Sequence, residues 1–394
     1  MEKLLLIGID TRSMLNSALK LDYDVYSTSY FSTSDTPTIE NQKIILKESD
    51  GESCGVFEDQ FNPEVMLDVS KDYLDEVDHI IPISGISPTD FSKRHQKKIL
   101  GNTDIGKIED KYKFYNEIKD EFLTPMTFSV NDIGEAIEIN NSHPESQFIL
   151  KPLQGSGGYD VNLLNNDSDF EFNGREFILQ EYVEGISLSS SVLASKSDAR
   201  AITHTRLLTM NDFERNSSFV YVGNILPLTE KSIMANVGNL DEVISNMKHT
   251  SENLAEKFNL LGSNGVDYIL NENGLYVIEI NPRLQGTFEC VEMSYGINML
   301  EAHIKACKGE IINIPKPQYY SYKKIIYSPN RNMYEKIDLD NIYDMPHTGS
   351  ITEKSEPLLT IIDKNKDFEK LYEKVELSSK IVNEASIKYQ LDKE

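Results

Sequence analysis

The chain opens on an apolar run, KLLLIGI, which predicts a buried first strand within Met1–Asp10. The next hundred residues alternate such runs with amphipathic stretches: a short helix over Thr11–Lys20, strands at DVYSTS and KIIL, a helix over Pro63–Val77, the strand DHIIPIS, and a helix over Pro88–Leu100. Strands alternating with helices predict a small parallel sheet covered on both faces. From about Gly101 the texture changes. Helices over Asp110–Lys119 and Asn131–Asn140 lead into a mainly β stretch, FILKP, DVNLL, EFILQEYV, SLSSSVLAS and ARAITHTRLLT, with hairpin connections. A helix over Asn239–Phe258, the strands GVDYIL and LYVIEINP, and a helix near Asn298–Lys308 follow. Beyond the punctuation of Pro315 and Pro317, the Tyr-rich YYSYKKIIY reads as an edge strand, and the charged tail Lys364–Glu394 as helix.

Composition narrows the functional classes. At 394 residues the chain is too long for one ordinary core. Asp and Glu outnumber Lys and Arg 64 to 39, a net charge of −25, which disfavours nucleic acid and acidic membrane surfaces as partners while leaving room for a local basic pocket. Cys54, Cys290 and Cys307 have no paired short spacing, so reduced thiols in a cytoplasmic compartment are expected and a zinc knuckle is not. The N-terminal apolar run is too short for a signal segment, and no stretch approaches a membrane span.

Four segments carry candidate chemistry. In GVDYILNENGLYVIEINPR a three-residue loop, Glu272-Asn273-Gly274, would pair Asp267 with Glu279 and put both on one face with Asn281. Oxygen donors of this kind suit Mg²⁺, with Mn²⁺ as the other candidate. A two-residue loop would shift the register by one and undo the convergence. In LKPLQGSGGYDV, Gly155, Ser156, Gly157 and Gly158 can bring backbone N–H groups close to a phosphate. Lys151, inside the apolar strand FILKP, needs an anionic partner or a path to water. Lys111 opens the helix after Asp110. LQEYVEG ends an apolar strand in Glu181 and Glu184 around Val183, a pattern able to bind adenine and ribose. Arg283, just past Asn281-Pro282, stands where a guanidinium can hold a phosphoryl or carboxylate group. Taken alone, each segment also has a plain structural reading: a polar sheet face, a flexible turn, a strand end, a surface arginine. The basic run Lys93–Lys98 reads as a solvated helix face, and His204, Arg206 and His249 as structural residues.

In family order and spacing, DKYKF, FILKP, QGSGGYDV, QEYVEG and VDYIL…VIEINPRLQGTFE resemble the ATP-grasp superfamily of carboxylate–amine ligases and carboxylases. Within it, NPRLQGT and GSITEKSEPLLTIID are similar to an archaeal set of predicted ATP-dependent carboligases, and more loosely to tyramine–glutamate ligase. The resemblance implies an α/β and α+β multidomain chain: an N-terminal Rossmann-like domain over residues 1–105, then an ATP-grasp fold with subdomains over 106–185 and 186–310, and an extension over 311–394. It assigns Lys111, Lys151 and Gly155–Tyr159 to ATP phosphates, Glu181 and Val183 to adenine, Glu184 to ribose, Asp267, Glu279 and Asn281 to magnesium, and Arg283 to the reacting groups. The implied reaction joins a small carboxylate to an amine through an acyl phosphate, releasing ADP and phosphate. A carboxylase using bicarbonate is the alternative enzyme, disfavoured because no biotin-carrier segment is seen; a non-catalytic nucleotide-binding regulator is the third reading. A cytoplasmic homodimer is the expected state. Two departures touch the site: Ser187 stands where many relatives carry an acid, and Asp267 is one methylene shorter than the usual glutamate.

Overall fold

The computed structural model describes residues 1–46, 61–153, 155, 158, 160–164, 172, 174–213 and 219–391. Cys54, Gln154, Ser156, Gly157 and Tyr159 lie outside the described residues.

The first sheet is parallel, as its pattern predicts, with β1 (Glu2–Gly8), β2 (Tyr23–Ser29), β3 (Asn41–Ile44) and β4 (His79–Pro82) in the order β3-β2-β1-β4. The continuous apolar run of β1 reflects burial on both faces. Leu5 and Ile7 join Met66, Leu74 and Phe91 on one side, while Leu4 and Leu6 meet Leu15, Val291 and Leu300 on the other. The expected helix over Pro63–Val77 is two, Pro63–Val69 and Lys71–Glu76, because the Ser70 hydroxyl donates back to the Met66 carbonyl at 2.7 Å and breaks the run. Over Pro88–Leu100 only a 3₁₀ turn (Pro88–Asp90) and one α-turn (Lys93–Gln96) form. Lys98 donates to the carbonyls of Leu74, Asp75 and Val77, so part of the basic run closes a helix end.

A small antiparallel sheet, β5 (Thr127–Val130), β6 (Phe148–Pro152), β7 (Asn162–Leu163) and β8 (Phe177–Glu181), runs in the order β5-β8-β6-β7. The large sheet contains β9 (Ile186–Ala194), β10 (Ala199–Thr209), β11 (Tyr221–Leu226), β12 (Gly262–Asn271), β13 (Gly274–Asn281) and β14 (Tyr320–Tyr327). After the short pair β15 (Asn332–Met333) and β17 (Ile351–Thr352), the strands β16 (Ile342–Tyr343) and β18 (Pro357–Asn365) complete the order β13-β12-β9-β10-β11-β14-β18-β16. Strand alternation splits its residues. Leu188, Val192, Val266 and Tyr268 pack against the helix Leu240–Lys257, which leaves Ser189, Ser191 and Asp267 on the reverse face. YYSYKKIIY is not an edge strand: β14 lies between β11 and β18, and fully buried Tyr322 stacks on Tyr372 of the helix Phe368–Lys388. Its aromatic content answers to that two-sided burial.

Candidate active site

The β12–β13 hairpin turns on two residues, Glu272 and Asn273, pairing Asn271 with Gly274 rather than with Leu275. That register alone would separate the carboxylates. A β-bulge restores them: Tyr268 pairs with Val277, Asp267 with Glu279, and Ile278 is the extra residue between. Asn281 then falls opposite Gly265, its amide nitrogen 2.9 Å from Asp267 Oδ2 and 3.5 Å from Glu279 Oε1. From β9, the Ser189 hydroxyl donates to Asp267 Oδ1 at 2.6 Å. Burial, reinforced by Glu279, pushes the Asp267 carboxyl up to about 7. Two crowded carboxylates beside an asparagine form a set of oxygen-bearing side chains that a hard dication would relieve, so the residues present fit Mg²⁺.

Lys151 reaches the same space from β6. Its ammonium donates at 2.7 Å to Gln180 Oε1, and Gln180 donates in turn to the Thr127 hydroxyl at 2.9 Å. This relay across three strands aims the lysine, and burial, with Lys111 adding to it and Glu279 opposing, lowers its pKa to about 8. Lys111 is held at the start of the helix Lys111–Ile118, whose first N–H groups are capped by Asp110, and its ammonium donates at 3.0 Å to the Gly155 carbonyl. Gly158 is at φ +77°, and a Cβ there would lie 2.1 Å from the Phe219 carbonyl oxygen, so the loop packs too tightly for any side chain at this position.

These groups line one cavity of about 410 Å³ between the two antiparallel sheets. Lys111, Lys151, Gly155 and Gly158 form one wall, and Asp267, Glu279, Asn281 and Arg283 another. Glu181 and Val183 close a third side, where Glu181 accepts from the Met126 N–H at 3.2 Å and from Ser146 at 3.4 Å. Glu184 is placed elsewhere, in an adjoining cleft with Asn271 and Tyr276. His204, bonded to Ser190, is pushed down to about 4 by burial, and Arg206 pairs with Asp212; both sit on an interior strand, and His249 is exposed. Sequence reasoning missed Gln180, Ser189, Tyr221 and Gln285. Gln285 had one signal: it lies over Gly265, where a Cβ would come within 1.5 Å of its amide, so the glycine opposite Asn281 is a space kept for a side chain.

Residues 108–287 match the family described as ATP-grasp domain. That segment is an ATP-grasp domain. It is 29% identical to an uncharacterised protein of Methanocaldococcus jannaschii, over 92% of this chain and 88% of that one. Tyramine–L-glutamate ligase of the same organism is 27% identical over 48% of this chain and 45% of its own length. Among solved structures, the biotin carboxylase domain dimer of 2-oxoglutarate carboxylase from Hydrogenobacter thermophilus, with MgADP and bicarbonate, superposes with TM-score 0.71 at 16% identity, covering 100% of this chain and 91% of that one. The chain thus shares its fold with that biotin carboxylase domain, and among the described residues no helix is long and apolar enough to cross a membrane.

Proposed function

We propose that this ATP-grasp protein is an ATP-dependent ligase that joins a carboxylate to an amine. The observation that carries the reading is the single cavity lined by Lys111 and Lys151 together with Asp267, Glu279, Asn281 and Arg283. Lys111 and Lys151 hold the β- and γ-phosphates, with the backbone of Gly155 and Gly158 over them. Glu181 and Val183 receive adenine, and Glu184, in the adjoining cleft that Glu181 and Val183 also line, is left for the ribose. Asp267, Glu279 and Asn281 are the residues that would hold Mg²⁺, which neutralises phosphate charge when bound. Arg283 orients the acceptor carboxylate in line with the γ-phosphorus, so that a carboxylate oxygen bonds to phosphorus as the bond to ADP breaks. The amine nitrogen then attacks the acyl carbon, the C–O bond to phosphate breaks, and nitrogen gives up its proton. Positioning and charge complementarity do most of this work, and no side-chain nucleophile is required.

The test is phosphate release by the purified protein with ATP, Mg²⁺ and a matrix of carboxylates crossed with amines, with product mass by mass spectrometry. A mass equal to acid plus amine minus water supports the ligase. Bicarbonate-dependent phosphate release without any amine requirement would replace it with the carboxylase reading.

A further inference from the structure

A second cavity of about 260 Å³ adjoins the first and shares Ser84, Lys111, Gly155, Glu279, Asn281 and Arg283 with it. The wall it does not share comes from the first sheet: Gly85–Ser87 and Asp90 after β4, with Glu109 from the one-turn helix before Lys111. Ligands of open parallel sheets settle beyond the carboxyl ends of the strands, where strand order reverses. With order β3-β2-β1-β4, the reversal falls between β1 and β4, and the turn after β4 supplies this wall. The cavity therefore lies where general rules put a small-molecule site, in direct continuity with the cavity assigned to nucleotide.

Its lining carries both signs: Arg283 and Lys111 are shared with the first cavity, while Glu109 and Asp90 line only this one. Asp90 is occupied in a local turn, accepting from the Ser87 N–H at 2.7 Å. Glu109 is half-buried and its one side-chain hydrogen bond among the described residues is long, 3.5 Å from the Ser87 hydroxyl. Burial pushes its carboxyl upward, Arg283 and Lys111 only partly offsetting this, and among the described residues it forms no ion pair. A carboxylate so placed is best completed by a cation arriving with the ligand.

We propose that Glu109 is a specificity-determining residue, holding the cationic end of an amine acceptor while Arg283 faces the acyl end; this rests on the ligase reading above. The acceptor is thus an amine bearing a positive charge several bonds from the phosphoryl-transfer centre, rather than a neutral or acidic nucleophile.

Calorimetric titration of the full chain, loaded with a non-hydrolysable ATP analogue and Mg²⁺, tests this with five-carbon probes of equal length: 1,5-diaminopentane, 5-aminopentanoate and glutarate. The two amines are expected to bind at least tenfold more tightly than glutarate. Glu109→Gln should bring that ratio to within twofold, and Glu109→Asp should restore part of it. A ratio unchanged by Glu109→Gln, a preference for glutarate, or no probe binding to the loaded protein would overturn the proposal. Failure of the wild type to bind the analogue at all would instead overturn the ligase reading, so the two failures are distinct.

Discussion

Around Arg12 and around Asp267 the chain gathers comparable sets of charged side chains, and it completes them in opposite ways. Arg12, 1% exposed, pairs with Glu289 at 2.8 Å and with Asp344, while Asp35 lies 3.5 Å away. Asp10 accepts from the Arg12 N–H, and Lys323 stands 3.5 Å from Glu289. Apart from Asp10, the charges there are met by others from distant stretches of the same chain, so the group staples the first sheet, the helix Phe288–Tyr295 and the C-terminal strands together. Around Asp267 the partners are neutral. Lys151 donates to an amide, Lys111 to a carbonyl, and Asp267 accepts from a serine and an asparagine. The cations and carboxylates share a cavity without neutralising one another. Internal completion marks a structural centre; charge held on neutral supports and open to a cavity marks a site awaiting a charged ligand.

The sharpest break of this comparison is Glu279→Ala, which should lower Mg²⁺- and ATP-dependent phosphate release by about 10²–10³-fold while leaving the thermal midpoint unchanged. Calorimetric ATP–Mg²⁺ binding equal to wild type would show that Glu279 holds no metal. Arg12→Met should behave conversely, costing about 3–5 kcal/mol in urea unfolding because it leaves buried carboxylates uncompensated, with nucleotide affinity of the folded fraction retained. A loss below about 1 kcal/mol would deny the staple its role. Lys151→Met should weaken the ATP analogue about 10- to 100-fold, the cost of a charge-assisted hydrogen bond or two. The smallest effect concerns Asp10, whose carboxyl is pushed up to about 7 by burial first and Asp344 second. A carboxyl raised on folding contributes stability that is present at low pH and lost as pH rises through the folded value. Asp10→Asn removes that loss, so its thermal midpoint should gain on wild type between pH 4 and pH 8. A difference independent of pH would show that Asp10 does not titrate with folding.

Much of the site was legible along the chain, but the route to it was not. Period-two alternation correctly put Asp267, Glu279 and Asn281 on one face, yet the expected three-residue turn does not form. A tighter turn and a bulge at Ile278 reach the same pairing, because the sheet face must match both the helix Leu240–Lys257 and the cavity. Lys151 was suspicious as a charge within an apolar strand, whereas its support comes from Gln180, 29 residues later, and through it from Thr127, 53 residues before Gln180. YYSYKKIIY misled because charge and tyrosine resemble an exposed edge until Glu376 and Tyr372 arrive from the last helix.

By itself the sequence determined the residue types, the strand faces and the order of the motifs, since these follow from backbone geometry acting over a few residues. Only the tertiary structure decided which charges meet. Arg12 and Asp344 are 332 residues apart and in contact, while Glu184, one residue beyond Val183, lines only the neighbouring cleft and not the main cavity. Local rules say where a side chain points along its own strand; packing between distant segments decides what it finds there.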